Sequence, residues 1–341
     1  MKHEIDLSKY QIRTDLVIEN IDDLKDSKCE EKDHDNIKVT SVELTEEEAS
    51  KINKKPGNYI TIEFIDVTDS SNEKAVTTVF TKCLKELLRK TNIKSDDTCL
   101  VIGLGNSKST PDSLGPLTVE DIIITRHLFL MGEVGEGYRC VSSIVPGVTG
   151  SNGIETTDLI SSVVHKIKPD FLIVIDALAS SSIERVNKTI QMSNTGIHPG
   201  SGVGNSRKEI SIDTIRIPVI SIGIPTVVDA VSVVSDTINY MHKHYAFNKK
   251  FIGSPLNRLI SSDKINYLKK EIEIKEEDKS YLLGLVGSLS ETEIRQLIFE
   301  VLTPIGYNLM VTPKEIDFVI KKLSNVLSNG INHSLHKKTI L

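Results

Sequence analysis

Blocks of apolar residues alternate with blocks of helical periodicity along this chain. The runs Cys99–Leu104 and Phe171–Ile175 are continuously apolar, as expected of buried strands. Apolar residues recur at helical spacing over 74–90, 117–130 and 156–167. Strands that alternate with helices indicate a mostly parallel, twisted sheet with helices on both faces, in three layers. The pattern therefore predicts the α/β class.

The remaining segments extend this pattern less regularly. Residues 10–19 have an extended pattern, residues 25–35 form a charged, exposed excursion, and the pattern loosens after Asp176. Residues 245–288 are polar and mixed, which predicts an irregular insertion. Further strands are predicted at 58–67, 139–145 and 214–222, and further helices at 227–244, 291–302 and 313–327. We expect Thr312 to cap the last helix, with Pro313 at its first position.

Composition narrows the class of protein. The 341 residues are 39% hydrophobic and 26% charged, with a formal net charge of −6, which argues against a general nucleic-acid-binding surface. No stretch approaches 18 uncharged apolar residues and the N-terminus lacks an apolar signal region, so we expect a cytoplasmic protein without a membrane span. The four scattered cysteines fit buried free thiols better than disulfides or a zinc site.

Two carboxylates follow the two apolar strands. Asp112 lies in the loop after Leu104, and Asp176 follows Ile175 directly. Because the carboxyl ends of neighbouring parallel strands meet at one edge of a sheet, both acids are expected at that edge. Two carboxylates that share a site cannot both ionise cheaply, so one can activate water while the other protonates a leaving nitrogen. The alternative is a purely structural role, in which each aspartate only caps the element that follows it.

Two glycine-containing segments and two single residues offer other hypotheses about function. Gly103 and Gly105 follow a strand as in a dinucleotide fingerprint, but Lys108 stands where the third glycine belongs. The glycine-rich segment 195–208 has the composition of a phosphate loop without its usual ending, and a nucleotide-binding regulator stays an alternative. His198 in that segment could orient a carboxylate or join the two aspartates around a metal, or be an ordinary loop histidine. Asn106 is a second candidate supporting residue.

Several longer motifs occur in one order along the chain. They are GLGNSKSTPDSLGP, TRHLF, KPDFLIVIDALAS, SNTGIHPGSGVGN, SIGIPTVVDA and EVLTPIGYNLMVTPKEID. Together they resemble the germination proteases of spore-forming bacteria, over nearly the full length. This resemblance implies an endopeptidase that starts to degrade small acid-soluble spore proteins when a spore germinates.

The resemblance also implies a site and a fold. The family is an atypical aspartic peptidase family whose core is similar to that of hydrogenase-maturation peptidases, and its two catalytic aspartates correspond to Asp112 and Asp176. No cofactor and no metal are then expected. Hydrogenase-maturation peptidases bind nickel through acids and a histidine, however, so a nickel-dependent peptidase is the alternative.

The resemblance further implies a zymogen. Residues 1–15 would be a propeptide that the enzyme removes itself by cutting Asp15–Leu16, which leaves 16–341 as a single peptidase domain. An extended stretch with an acid before the bond and an apolar residue after it suits a segment that lies in a cleft as an added strand. The family further implies a homotetramer in the forespore or spore core, with spore proteins as substrates and with neither nucleic acid nor membrane as a partner.

Overall fold

The computed structural model describes residues 14–23, 28–34, 36–200, 208–251, 267, 272–302 and 309–337. Within these residues the strands are β1 (Lys28–His34), β2 (Ile37–Leu44), β3 (Gly57–Phe64), β4 (Cys99–Gly103), β5 (Val141–Ile144), β6 (Phe171–Ser180), β7 (Thr189–Ser193), β8 (Val219–Asp229) and β9 (Met310–Val311). The helices are α1 (Glu46–Lys51), α2 (Ser70–Lys90), α3 (Leu114–Glu120), α4 (Arg126–Met131), α5 (Thr149–Asn152), α6 (Thr156–Ile167), α7 (Ile212–Ile215), α8 (Ala230–Phe251), α9 (Glu276–Leu283), α10 (Glu291–Leu302) and α11 (Ile316–Leu335).

The described residues divide into two compact units. The larger comprises 14–180, 184–227 and 312–337, and the smaller comprises 181–183 and 228–311. In the smaller unit, Val228 and Asp229 at the end of β8 pair with β9, and α10 packs against α8 around Val231 and Phe299. None of the described helices is long and apolar enough to cross a membrane.

The sheet of the larger unit has the strand order β1-β2-β3-β7-β8-β6-β4-β5. β4 pairs in parallel with β5 and with β6. From β8 through β7, β3 and β2 to β1, the neighbouring strands are antiparallel. The sheet is therefore mixed, and its parallel part is the one that the apolar runs at 99–104 and 171–175 predicted.

Side chains of β4 and β6 alternate between two apolar layers. Val101 and Ile173 point to the face that α2 and α11 cover. Leu100 and Leu172 point to the opposite face, which Ile160 of α6 helps to cover. Helices thus cover both faces of the sheet, and the predicted α/β class is confirmed.

The predicted helix at 117–130 is wrong as a single element. It is two short helices, α3 and α4, separated at residues 121–125. Asn332 of α11 intervenes there, because its side chain donates to the carbonyl of Asp121 and accepts from the N–H of Ile123. A side chain distant in sequence satisfies the backbone groups that a continuous helix would have paired internally.

Three other expectations are corrected by the structure. Within the charged segment 25–35, the residues of β1 are all exposed, as predicted, but they form a strand that pairs with β2. β6 continues past Asp176 to Ser180, and β7 follows it. Residues 17–19 of the segment that was predicted to be extended instead begin a 3-10 helix, Val17–Asp23.

The last helix begins later than predicted. α11 starts at Ile316 with Glu315 as its N-cap residue, and the Thr312 hydroxyl instead donates to the carbonyl of Thr226. The helix runs past 327 to Leu335, because Ile331 and Leu335 belong to the core beneath it. All four cysteines are free, but only Cys83 and Cys99 are buried, and Cys29 is exposed. Of the irregular insertion predicted at 245–288, residues 252–266 and 268–271 lie outside the described residues.

Candidate active site

Glycines pack the start of α3 onto the ends of two strands. A Cβ atom on Gly115 would lie 2.3 Å from the carbonyl oxygen of Leu104 and 2.7 Å from that of Ile175. A Cβ atom on Gly103 would lie 2.4 Å from the carbonyl oxygen of Gly115. Only glycine permits this approach of backbone to backbone. The loop between β4 and α3 is therefore folded back against the strand ends.

Asp112 lies in this loop, in a 3-10 turn that spans Thr110–Asp112. Its carbonyl accepts a hydrogen bond of 3.0 Å from the N–H of Asn106, and the Thr226 hydroxyl donates to the carbonyl of Pro111. Gly105 has φ of +112°, and a Cβ atom there would lie 2.0 Å from the carbonyl oxygen of Asp112 and 3.0 Å from its Oδ1. Gly105 thus lies directly against Asp112 and fixes its position.

Asp176 lies at the same edge of the sheet. Ile175 pairs in register with Gly103, and its carbonyl accepts a hydrogen bond of 2.8 Å from the N–H of Leu104. Asp176 is therefore the β6 residue beside the start of the loop that carries Asp112. It is 6% exposed, and its Oδ1 accepts a hydrogen bond from the N–H of Ala177. The turn that contains Asp112 packs against β6.

The two candidate supporting residues have partners of their own. Asn106 accepts a hydrogen bond from the N–H of Lys108 through its side chain, so its side chain shapes the loop. His198 is 54% exposed, and its Nε2 lies 3.0 Å from Oε2 of Glu209. Burial raises the pKa of Glu209, but hydrogen bonds from Lys55 and Ser211 outweigh it and leave that pKa lowered. His198 thus belongs to a charged cluster around Glu209.

The predicted cleavage site lies along the end of β6. The N–H of Asp15 donates to the carbonyl of Ala179 at 3.1 Å, and the N–H of Ala179 donates to Oδ2 of Asp15 at 2.9 Å. Leu16 is fully buried. Residues 1–13 of the predicted propeptide lie outside the described residues, as do residues 201–207 of the glycine-rich segment.

The profile of the germination protease family, peptidase family A25, matches residues 5–340. This chain belongs to that family. A germination protease of Geobacillus sp. (strain WCH70) is 49% identical over 99% of this chain and 97% of its own length. Those of Priestia megaterium (48% identical, 98% and 96%) and Bacillus subtilis strain 168 (46% identical, 99% and 96%) are similar throughout as well. The chain is therefore a peptidase.

A solved structure also matches part of the chain. It is a NiFe hydrogenase maturation protease, HycI from Thermococcus kodakarensis KOD1, with 14% identity and a TM-score of 0.26 over 42% of this chain and 80% of that one. A similarity at this level says nothing about mechanism. In the part of this germination protease that the structure describes, no three His, Cys, Asp or Glu side chains are grouped so as to hold a metal ion.

Two residues at the predicted cleavage site are absent from the sequence-based candidates. The side chains of Lys54 and Gln191 both donate to the carbonyl of Asp15. Lys54 lies in a lysine-rich loop, and nothing in the sequence separates it from Lys55. Gln191 lies on β7, a strand that the hydrophobic pattern did not predict. Only the fold brings these two residues to Asp15.

Proposed function

We propose that this germination protease is a metal-independent aspartic endopeptidase in which Asp112 and Asp176 activate water. One carboxylate deprotonates the water that attacks a peptide carbonyl. The other carboxyl group holds a proton and delivers it to the leaving nitrogen. Two acids at one site favour this division, because their mutual repulsion keeps one of them protonated.

The observation that supports this proposal best is the location of both aspartates at the carboxyl end of β4. Asp112 packs against Gly105, and Asp176 adjoins Leu104. Leu104 and Gly105 are consecutive in the chain, so the two aspartates lie beside the same short stretch. Family membership supports a peptidase, and this pair of acids is the candidate for its chemistry.

We further propose that the substrates are small acid-soluble spore proteins, degraded in the spore core during germination. The enzyme would be made as a zymogen that cuts its own Asp15–Leu16 bond and would act as a homotetramer. The family name supports the role in germination, and the docked Asp15–Leu16 segment supports processing at that bond. The exposed apolar side chains of Leu130 and Met131 on α4 offer surface that an assembly would cover.

The test is intact mass spectrometry of the full chain during incubation at mildly acidic pH. Wild type should lose residues 1–15, and Asp112→Asn and Asp176→Asn should stay intact. These substitutions keep the size of each side chain and remove its acid and base function. Cleavage of both variants at the wild-type rate would refute the aspartate mechanism.

A metal chelator separates the proposal from the nickel alternative. Self-cleavage and cleavage of an added acid-soluble spore protein should proceed unchanged after chelation. Loss of both activities, with recovery on addition of nickel, would instead favour a metal-dependent peptidase.

A further inference from the structure

The peptide bond between Asp15 and Leu16 is held from several sides. On the amino side, Asp15 exchanges two hydrogen bonds with the backbone of Ala179, one of them through its carboxylate. On the carboxyl side, Leu16 packs in an apolar pocket with Ile18, Leu178 and Ile197. The leaving nitrogen, that of Leu16, donates to the Thr14 hydroxyl at 3.0 Å.

This pocket lies on the same face of β6 as Asp176. Side chains alternate along a strand, so Asp176 and Leu178 point the same way. Leu178 lies over β8 at Gly223, where a Cβ atom would be 2.5 Å from the Leu178 side chain. The absence of a side chain at Gly223 thus makes room for the wall of the Leu16 pocket.

The carbonyl oxygen of Asp15 accepts two side-chain hydrogen bonds. Gln191 donates through Nε2 at 3.0 Å, and Lys54 donates through Nζ at 3.2 Å. Gln191 also accepts from the N–H of Val17 through Oε1 at 2.6 Å, so its amide spans the bond. Lys54 also donates to the carbonyl of Thr14 at 2.9 Å.

The Lys54 side chain is half-buried, and its ammonium donates to two carbonyl oxygens that carry no charge. Burial lowers the pKa of Lys54, and the negative charges of Asp15 and Glu19 offset this in part. A charged donor stabilises a neutral carbonyl oxygen, and it stabilises an oxygen that becomes negative much more strongly. Lys54 therefore matches the charge that develops on this oxygen during hydrolysis better than the charge present before it.

We propose that Lys54 and Gln191 stabilise the oxyanion that forms on Asp15 during self-cleavage of the Asp15–Leu16 bond, an inference that rests on the self-processing function proposed above. Water adds to the carbonyl carbon of Asp15, its proton passes to the ionised member of the aspartate pair, and the electrons of the C=O π bond move to the oxygen. The oxyanion then collapses, the C–N bond breaks, and the protonated carboxyl group gives its proton to the Leu16 nitrogen. The products are a carboxyl group on Asp15 and an amino group on Leu16.

The experiment follows self-cleavage of the full chain by intact mass in three variants. Lys54→Met keeps an apolar stem of similar length without the donor, and Gln191→Met removes the second donor. Each should slow cleavage about 100-fold or more, the usual effect of the loss of one oxyanion donor. Lys51→Met is the matched control, because Lys51 belongs to the same segment but is exposed and pairs with Glu47. Its rate should equal that of wild type.

Hydrogen exchange of Val17 separates stabilisation of the oxyanion from simple docking. In Lys54→Met the Val17 amide should stay as protected as in wild type, because its acceptor on Gln191 remains. Exchange that accelerates in proportion to the loss of cleavage would mean that Lys54 only docks the segment, which would overturn the inference.

The remaining outcomes separate this inference from the function beneath it. If Lys54→Met and Gln191→Met were cleaved at the wild-type rate while Asp112→Asn stayed intact, the oxyanion role would be overturned. The aspartate mechanism would remain. If the wild-type chain stayed uncut, or if Asp112→Asn were cleaved as fast as wild type, the proposed function would be overturned. This inference would fall with it.

Discussion

At the scale of single residues, the candidate site depends on glycines, which have no Cβ atom. Gly103, Gly105 and Gly115 each lie closer to a neighbouring backbone than a Cβ atom would allow. Gly105 combines this with φ of +112°, a conformation that other residues rarely adopt. The position of Asp112 therefore depends on a residue with no chemistry of its own.

Gly105→Ala should move Asp112 and reduce peptidase activity by about 100-fold or more, since displacement of a reacting group by about 1 Å can cost that much. The new methyl group would meet the carbonyl oxygen of Asp112 at 2.0 Å, and the loop has to shift to relieve the contact. Initial rates on a peptide with a single Asp–Leu bond would measure the loss, with circular dichroism to verify the fold.

Gly132→Ala is the control for backbone strain alone. Gly132 has φ of +73°, and no atom lies within 4 Å of the position of its Cβ. The Gly132→Ala variant should lose about 1 kcal/mol of folding stability and retain its peptidase activity. Equal activity in Gly105→Ala and wild type would contradict the role assigned to Gly105.

At the scale of elements, the packing of α11 on α2 forms much of one apolar layer. Phe80 of α2 is fully buried, and a Cβ atom on Gly330 of α11 would lie 2.2 Å from its Cδ1. The aromatic ring thus fills the space that the absence of a side chain at Gly330 provides. A smaller side chain at position 80 would leave a cavity in this closely packed contact.

Phe80→Ala should lower the free energy of unfolding by about 3–5 kcal/mol, the usual cost of removing a buried phenylalanine ring. Phe129→Ala on α4 is the matched control, because 42% of Phe129 is exposed, and it should cost about 1 kcal/mol or less. Urea denaturation of both variants measures the difference. A similar small loss in both would show that the α2–α11 contact contributes little.

The elements also show how far a single sequence predicts this fold. The apolar runs at Cys99–Leu104 and Phe171–Ile175 identified the parallel part of the sheet, because strands buried on both faces are recognisable without any partner. Helix 156–167 matched α6, whose amphipathic pattern is local. The placement of Asp112 and Asp176 at one edge followed from these elements alone.

What the sequence could not predict depends on distant partners. β1 has no buried residue, so no hydrophobic pattern marks it, and it exists because β2 pairs with it. The break between α3 and α4 depends on Asn332, more than 200 residues away. The contacts of Lys54 and Gln191 with Asp15 likewise require the folded sheet, since a lysine in a loop carries no local signal.

At the scale of the whole molecule, the net charge of −6 acts on any substrate before it reaches the site. Like charges slow the encounter of two molecules, and dissolved salt screens this effect beyond about 10 Å at 0.1 M. Substrates with the same scissile bond but different distant charges should therefore differ in association and not in chemistry.

Two peptides with an identical central sequence, Arg13–Glu19, and either acidic or basic distal flanks test this. At about 10 mM salt the basic peptide should have a kcat/KM several times higher, because the screening length is then about 30 Å and the long-range field still acts. The difference should disappear near 0.5 M salt, while kcat stays equal for both peptides throughout. A preference for acidic flanks would mean that a local positive surface near the cleft outweighs the net charge, and equal rates at low salt would mean that recognition is confined to the residues beside the bond.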